Sequence, residues 1–203
     1  ELRRIIENYG MVNLYEECCR DLKNWTRDEA FIQRMKEKNE KRMAELEEKI
    51  KDAEQNLGES DVRDAYLDKA KFLCQITDFE HAEAALEACE PKAITLSRRL
   101  DLMMYRIRIE LFRLTNGRRL VELVERAKKM LEDGGAGDWD QKTRLKIYEA
   151  MVLFAVQRDF KGSVMLFLET VSTYTCYEVI PFNRFVVYAV LLAMISLNRP
   201  DLK

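Results

Sequence analysis

Histidine has the widest catalytic repertoire near neutral pH, and this 203-residue sequence contains one, His81. A general-base step or a nucleophilic triad would have to be built around it alone, and nothing beside it in the sequence supports that, so His81 reads as a structural or exposed residue. The cysteines Cys18, Cys19, Cys74, Cys89 and Cys176 are odd in number, two are adjacent, and none forms a CxxC pair. They suggest neither a disulfide framework nor a zinc site. Cys18-Cys19 could hold a reactive thiol, but with no base in evidence they read as buried or incidental cysteines. The Gly134–Gly137 run lacks the Lys-Ser/Thr that would make a phosphate-binding loop, and the carboxylates lie on solvated helical faces. These residues predict no catalytic centre, no metal and no cofactor. The segment Lys92–Lys129 stands apart, with eleven Lys and Arg against four Asp and Glu. Within it Arg99, Arg106 and Arg113 recur at heptad spacing, which places them on one side of one helix beside its apolar stripe. That ridge is either a solvated face or a contact for an acidic protein surface. RNA is the poorer match, because no exposed aromatics interleave with the arginines for base stacking.

The composition fixes the kind of element that carries these residues. Hydrophobic residues make up 47% and charged residues 34%, with 7 Gly and 3 Pro, too few turn formers for a many-stranded sheet. An all-α protein follows. Its 34 Lys and Arg against 36 Asp and Glu give a net charge of −2, which argues against a general nucleic-acid or membrane-surface binder. No run reaches the roughly 18 apolar residues of a membrane span, and Glu1-Leu2-Arg3-Arg4 leads into no signal-peptide core. With the cysteine pattern, this predicts a soluble protein of a reducing compartment.

Along the chain, Val12, Tyr15, Cys19 and Leu22 form one helical stripe. Arg27–Leu57 reads as a long charged helix, with Glu37/Lys41, Glu45/Lys49 and Glu47/Lys51 in the favourable acid-first order. Met43, Leu46, Ile50, Ala53 and Leu57 make a narrow apolar seam along it. Gly58 breaks this helix, and Glu59-Ser60-Asp61 is expected to cap the next. Residues 1–57 thus form an N-terminal helical region. From 58 to 203 the sequence is repetitive: Asp78-Phe79 and Asp159-Phe160 each follow one helical segment and open another, two repeat lengths apart. With Leu120 after Asn116-Gly117 and Leu202 after Pro200-Asp201, the anchors Phe79, Leu120, Phe160 and Leu202 recur at nearly equal intervals of about 40 residues. Two helices per period of that length predict a right-handed α-solenoid of repeats longer than the tetratricopeptide unit. The stripe Leu100, Met103, Ile107, Leu111 and Leu114 is too wide for one partner helix, so stacking is needed to bury it. Phe182–Leu197 is almost continuously apolar and too short to span a bilayer comfortably, which suits a helix held between two neighbours. The fourth repeat lacks its second helix, so a fragment of a longer protein is expected.

With the repeats in place, several strings resemble the non-ATPase regulatory subunit 6 family of the proteasome lid: DAEQNLGESDVRDA at Asp52–Ala65, GDWDQKTRLKIY at Gly137–Tyr148, RDFKGSVMLFLETVSTYTCYE at Arg158–Glu178 and NRPDL at Asn198–Leu202. The resemblance covers nearly the whole chain. It implies a non-catalytic scaffold in cytoplasm and nucleus, supporting ubiquitin-dependent degradation and contacting other lid subunits and the neighbouring ATPase-containing base. It also implies a winged-helix PCI module after the repeats and offers no catalytic residue to carry over. The extra Ala136-Gly137 departs from the family's pattern. A paralogous signalosome subunit shares the architecture, though the RDF and NRPDL strings favour the lid; a free-standing repeat adaptor for acidic peptides would use the Arg99 ridge. The chain alone is expected to be monomeric.

Overall fold

The computed structural model describes residues 1–113, 116–134 and 138–199, and their regular structure is all helical. Two compact units divide the chain, Glu1–Ile94 and Thr95–Lys203. The division falls after the first repeat pair, not after the long helix, because the end of that helix packs on the pair that follows it.

The first unit opens with α1 (Leu2–Tyr9), a helix the periodicity did not reveal. Gly10 ends it at φ 67°, where glycine escapes the left-handed penalty, and the N–H of Met11 closes the turn onto Ile6 O at 3.0 Å. A Cβ on Gly10 would also lie 2.3 Å from Asn39 Oδ1, and the Asn39 amide donates to Gly10 O at 2.8 Å. α2 (Val12–Asp21) precedes α3 (Glu29–Asn56), whose N-cap Asp28 accepts from the Phe31 N–H at 3.1 Å. The two ends of α3 serve different cores. Phe31, Ile32 and Met35 pack with Ile6, Val12 and Tyr15 of α1 and α2. Ile50 and Ala53 pack with Val62 and Ala65 of α4 (Glu59–Gln75). Leu46, Ile50 and Ala53 of the expected seam are buried, while Leu57 at its end is exposed.

The charges of α3 pair differently from the expectation. Glu47 meets Lys69 at 2.9 Å and Lys49 meets Asp68 at 2.5 Å, both across to α4 instead of along α3. Packing of the two helices already orders the stems of these side chains, so a cross-helix pair costs less entropy than one on a solvated face. Gly58 precedes α4 with no side-chain cap; Glu59 and Asp61 instead place negative charge in the first turn, where the helix dipole favours it.

α5 (Phe79–Cys89) returns along α4. In the second unit α6 (Leu96–Arg113) pairs with α7 (Gly117–Gly134), α8 (Trp139–Val152) with α9 (Phe160–Thr170), and α10 (Phe182–Ser196) packs on α9. One core joins them, built on Leu100, Ile107, Leu120, Tyr148, Phe167 and Phe185.

The correspondence between the two Asp-Phe pairs is visible in the turns. Thr77 and Arg158 both hold a left-handed φ, of 64° and 58°. The Asp after each caps the next helix, Asp78 accepting from the His81 N–H at 3.4 Å and Asp159 from the Gly162 N–H at 2.9 Å. Asn116 plays this part for α7, accepting from the Arg119 N–H at 3.1 Å. Gly117, not Leu120, therefore stands where Phe79 and Phe160 do, and the period is less even than the anchors implied.

Candidate interaction surface

His81 lies on the rim of a groove of about 450 Å³ between α3, α4 and α5, floored by Met43, Leu73, Ala84, Ala85 and Ala88. Its Nδ1 is 2.9 Å from both carboxylate oxygens of Asp78, so it supports the helix cap. Among the described residues, no serine, threonine or cysteine lines the groove for it to activate. Burial pushes the Cys18 thiol up, with Cys19 and nearby carboxylates adding to it, and burial above all does the same for Cys176. Both changes oppose thiolate chemistry. Among the described residues no cluster of three or more His, Cys, Asp or Glu could hold a metal ion, and no helix is long and apolar enough to cross a membrane.

The arginines of α6 share a side, as the heptad spacing requires, but not an environment. Arg99 and Arg113 are exposed, whereas Arg106 between them is 6% exposed. The middle of α6 is enclosed on nearly every side, with Leu102, Met103, Ile109 and Glu110 also buried. All three arginines interact with other groups of the protein. Glu110, 4% exposed at its side chain, meets Arg119 of α7 at 3.4 Å, so part of the basic segment is answered within its own helix pair. The three arginines therefore do not make a continuous exposed ridge. Heptad spacing reports the side of a helix, not what covers that side.

Of the repeat anchors, Leu120 is 1% exposed and sits in the core of the second unit. Phe79 and Phe160 are half-buried instead of enclosed between their helices. Each is the first residue of its helix, at the end of a hairpin where one edge faces water. Phe160 rests on Phe154, with ring centroids 6.0 Å apart. Leu202 lies outside the described residues, as do Leu114, Pro200, Asp201 and Gly135–Gly137.

A polar cluster that no spacing announced ties α6, α8 and the 174–181 segment together. Arg144 of α8 donates to Glu178 Oε1 through Nε at 2.9 Å, with Nη2 2.7 Å from the same oxygen in the ion pair, and the Tyr148 hydroxyl reaches that oxygen at 3.2 Å. Gln141 donates to Ser97 O and Oγ at 2.9 and 2.8 Å and to Asp101 at 3.1 Å. Burial works against both charges of the Arg144–Glu178 pair. Even so, its own backbone N–H and Arg144 hold the Glu178 carboxyl below its usual range, and Glu178 raises the Arg144 pKa. Partners on different elements, far apart in the chain, leave no periodic trace, so only the three-dimensional arrangement reveals them.

What these features define is an all-helical protein of successive helix pairs, with a partly buried polar cluster linking elements of the second unit. The sequence assigns it further: the family model for 26S proteasome subunit RPN7 matches residues 28–203, and the chain belongs to that family. It is 37% identical over its whole length to the 26S proteasome non-ATPase regulatory subunit 6 homolog of Arabidopsis thaliana, covering 51% of that protein. It is 36% identical to the non-ATPase regulatory subunit 6 proteins of Caenorhabditis elegans and Dictyostelium discoideum, again over its whole length, covering 48% and 52% of them. The chain thus spans about half the length of these relatives.

Proposed function

We propose that this protein is a non-catalytic scaffold subunit of the 26S proteasome regulatory particle lid, supporting ubiquitin-dependent protein degradation in cytoplasm and nucleus through contacts with other lid subunits and the ATPase-containing base. The observation that carries the reading is the family match over residues 28–203, joined by relatives at 36 and 37% identity along the whole chain. The reading takes the fold to be a right-handed solenoid of TPR-like repeats, an architecture that presents broad, preformed surfaces and loses little entropy when a partner docks. On α6 the exposed ends, Arg99 and Arg113, are the basic points for a carboxylate-rich neighbour; Arg106, buried between them, is not offered to it.

Affinity purification of the tagged protein from its own cells tests this. Regulatory-particle subunits should be recovered with it in near-equal amounts, and Arg99→Glu/Arg113→Glu should weaken joining to the base most at low salt, where exposed charge pairs are least screened. A tagged chain that purifies free of regulatory-particle subunits refutes the assignment. Salt-independent, wild-type joining of the double variant removes the arginines from it.

A further inference from the structure

The groove between α3, α4 and α5 has an apolar floor, and α5 turns Ala84, Ala85 and Ala88 toward it, where larger side chains would close it. Its volume of about 450 Å³ falls within the about 300–1,000 Å³ of pockets that take ligand groups. Met43 of α3, unbranched and flexible, can follow the shape of what enters. The two walls differ in charge. On the α3 side Glu47 is held by Lys69 at 2.9 Å, and Lys51 lies near enough to act on it as well. The α5 side is acidic: from Phe72 to Pro91 the chain carries five acids, Asp78, Glu80, Glu83, Glu87 and Glu90, and no Lys or Arg. Glu80 and Glu87 stand at i−4 and i+3 from Ala84, so they flank it at the groove's edge, away from buried Ala82 and Leu86. Both are exposed, and among the described residues neither carboxylate has an ion-pair or hydrogen-bond partner.

We propose that this groove receives an amphipathic helix of another protein, with large aliphatic side chains on the floor and Lys or Arg along the flank that meets Glu80 and Glu87. A helix fits where an extended segment does not. The apolar floor offers nothing to take the N–H and C=O groups of an extended backbone, whereas a helix satisfies its own. Charge sets how the partner lies: the α3 wall is already paired, so the basic flank faces α5. A second copy of this chain fits poorly. Its basic helices α6 and α7 turn their apolar sides into the core of their own unit. α10 exposes Val187, Leu191 and Ile195 but has one charged residue, Arg184. α1 has exposed Leu2 and Ile5 beside Arg4, but over only about two turns, and a head-to-tail contact of that kind runs on into a filament. The groove and its charges stand independently of the assembly proposed above.

A displayed library of helical peptides, with Leu fixed at i, i+3 and i+7 and the other positions varied, is selected on the 203-residue chain to test this. Binders should gather Lys or Arg on one flank of the Leu stripe. In fluorescence anisotropy at low salt, Glu80→Lys/Glu87→Lys should weaken a selected peptide about tenfold, and the loss should shrink as salt rises. The same peptide with its basic flank changed to Glu should bind that variant as the original binds the wild type. Ala84→Trp, by filling the groove, should weaken the peptide at every salt concentration. Ala84 is exposed, so circular dichroism and thermal midpoint should match the wild type. If Ala84→Trp misfolds, the charge reversal at two exposed positions decides the matter. A selection that yields no binder, or binders without a basic flank, overturns the proposal, as does an affinity that neither variant changes. Self-association of the chain that Ala84→Trp abolishes gives the groove to a second copy, and a longer product of the same gene that fails to bind the peptide gives it to a segment of its own; either result overturns the outside partner.

Discussion

Removing the charge of Glu178 should cost the second unit stability that depends on pH. Arg144 and Glu178 are 20 and 22% exposed at their side chains, and one carboxylate oxygen takes the Arg144 Nε–H and the Tyr148 hydroxyl, with Arg144 Nη2 also 2.7 Å away. Arg144 has other acids near it, Asp101 at 3.8 Å and Asp140 at 3.7 Å, but both are longer contacts to more exposed groups and replace little. Breaking a buried pair costs about 3–5 kcal/mol, and partial exposure puts Glu178→Ala at the low end, about 3 kcal/mol. Glu178→Gln keeps an acceptor for Arg144 and loses only the charge assistance, about 1–2 kcal/mol. The carboxyl has a folded pKa below its ordinary value. Its contribution is therefore complete above the ordinary carboxylate range and disappears as pH falls through the folded pKa. Urea denaturation followed by circular dichroism should show a gap between wild type and Glu178→Gln at pH 7 that closes below about pH 4. No gap at pH 7, or a gap of the same size at pH 3, would refute the argument that Arg144 and Glu178 form a stabilising charged pair.

Core truncations should separate the anchors: Leu120→Ala should cost about 2–5 kcal/mol, and half-buried Phe160→Ala less than the about 3–5 kcal/mol of a fully enclosed phenylalanine, as read from urea midpoints. Thr77→Gly and Arg158→Gly should each stabilise by about 0.5–1 kcal/mol in thermal unfolding, because glycine relieves the left-handed backbone at φ 64° and 58°.

The parts of the fold that were legible in the sequence are those written in short-range chemistry. Asp78 and Asp159 are readable as helix starts because an N-cap acts on an N–H less than one turn ahead, and the apolar seam of α3 returns once per turn. α1 escaped notice because so short a helix offers too few turns for a periodic signal, and its end at Gly10 depends on Asn39, far along the chain. Arg99, Arg106 and Arg113 were rightly placed on one side of α6, yet the burial of Arg106 depends on elements that arrive from elsewhere in the chain. The Arg144–Glu178 pair lay beyond reach for the same reason. In α10 the unbroken apolar run announced a helix enclosed on both sides; that one side stands in water is visible only in three dimensions.

α3 is 28 residues long, about 42 Å, and its two ends belong to different cores. From Lys36 to Glu45 no residue is fully buried, and half-buried Asn39, against Gly10, and Met43, in the groove beside α4 and α5, are among its few tertiary contacts, so that stretch is held mainly by its own backbone ladder. Its amide protons are shielded by one layer of helical hydrogen bonds and little else, while those of Phe31–Met35 and Leu46–Ala53 also sit under packed side chains. In deuterated water the label should enter α3 from the middle outward, giving a helix whose fastest-exchanging region lies at its centre instead of at its ends.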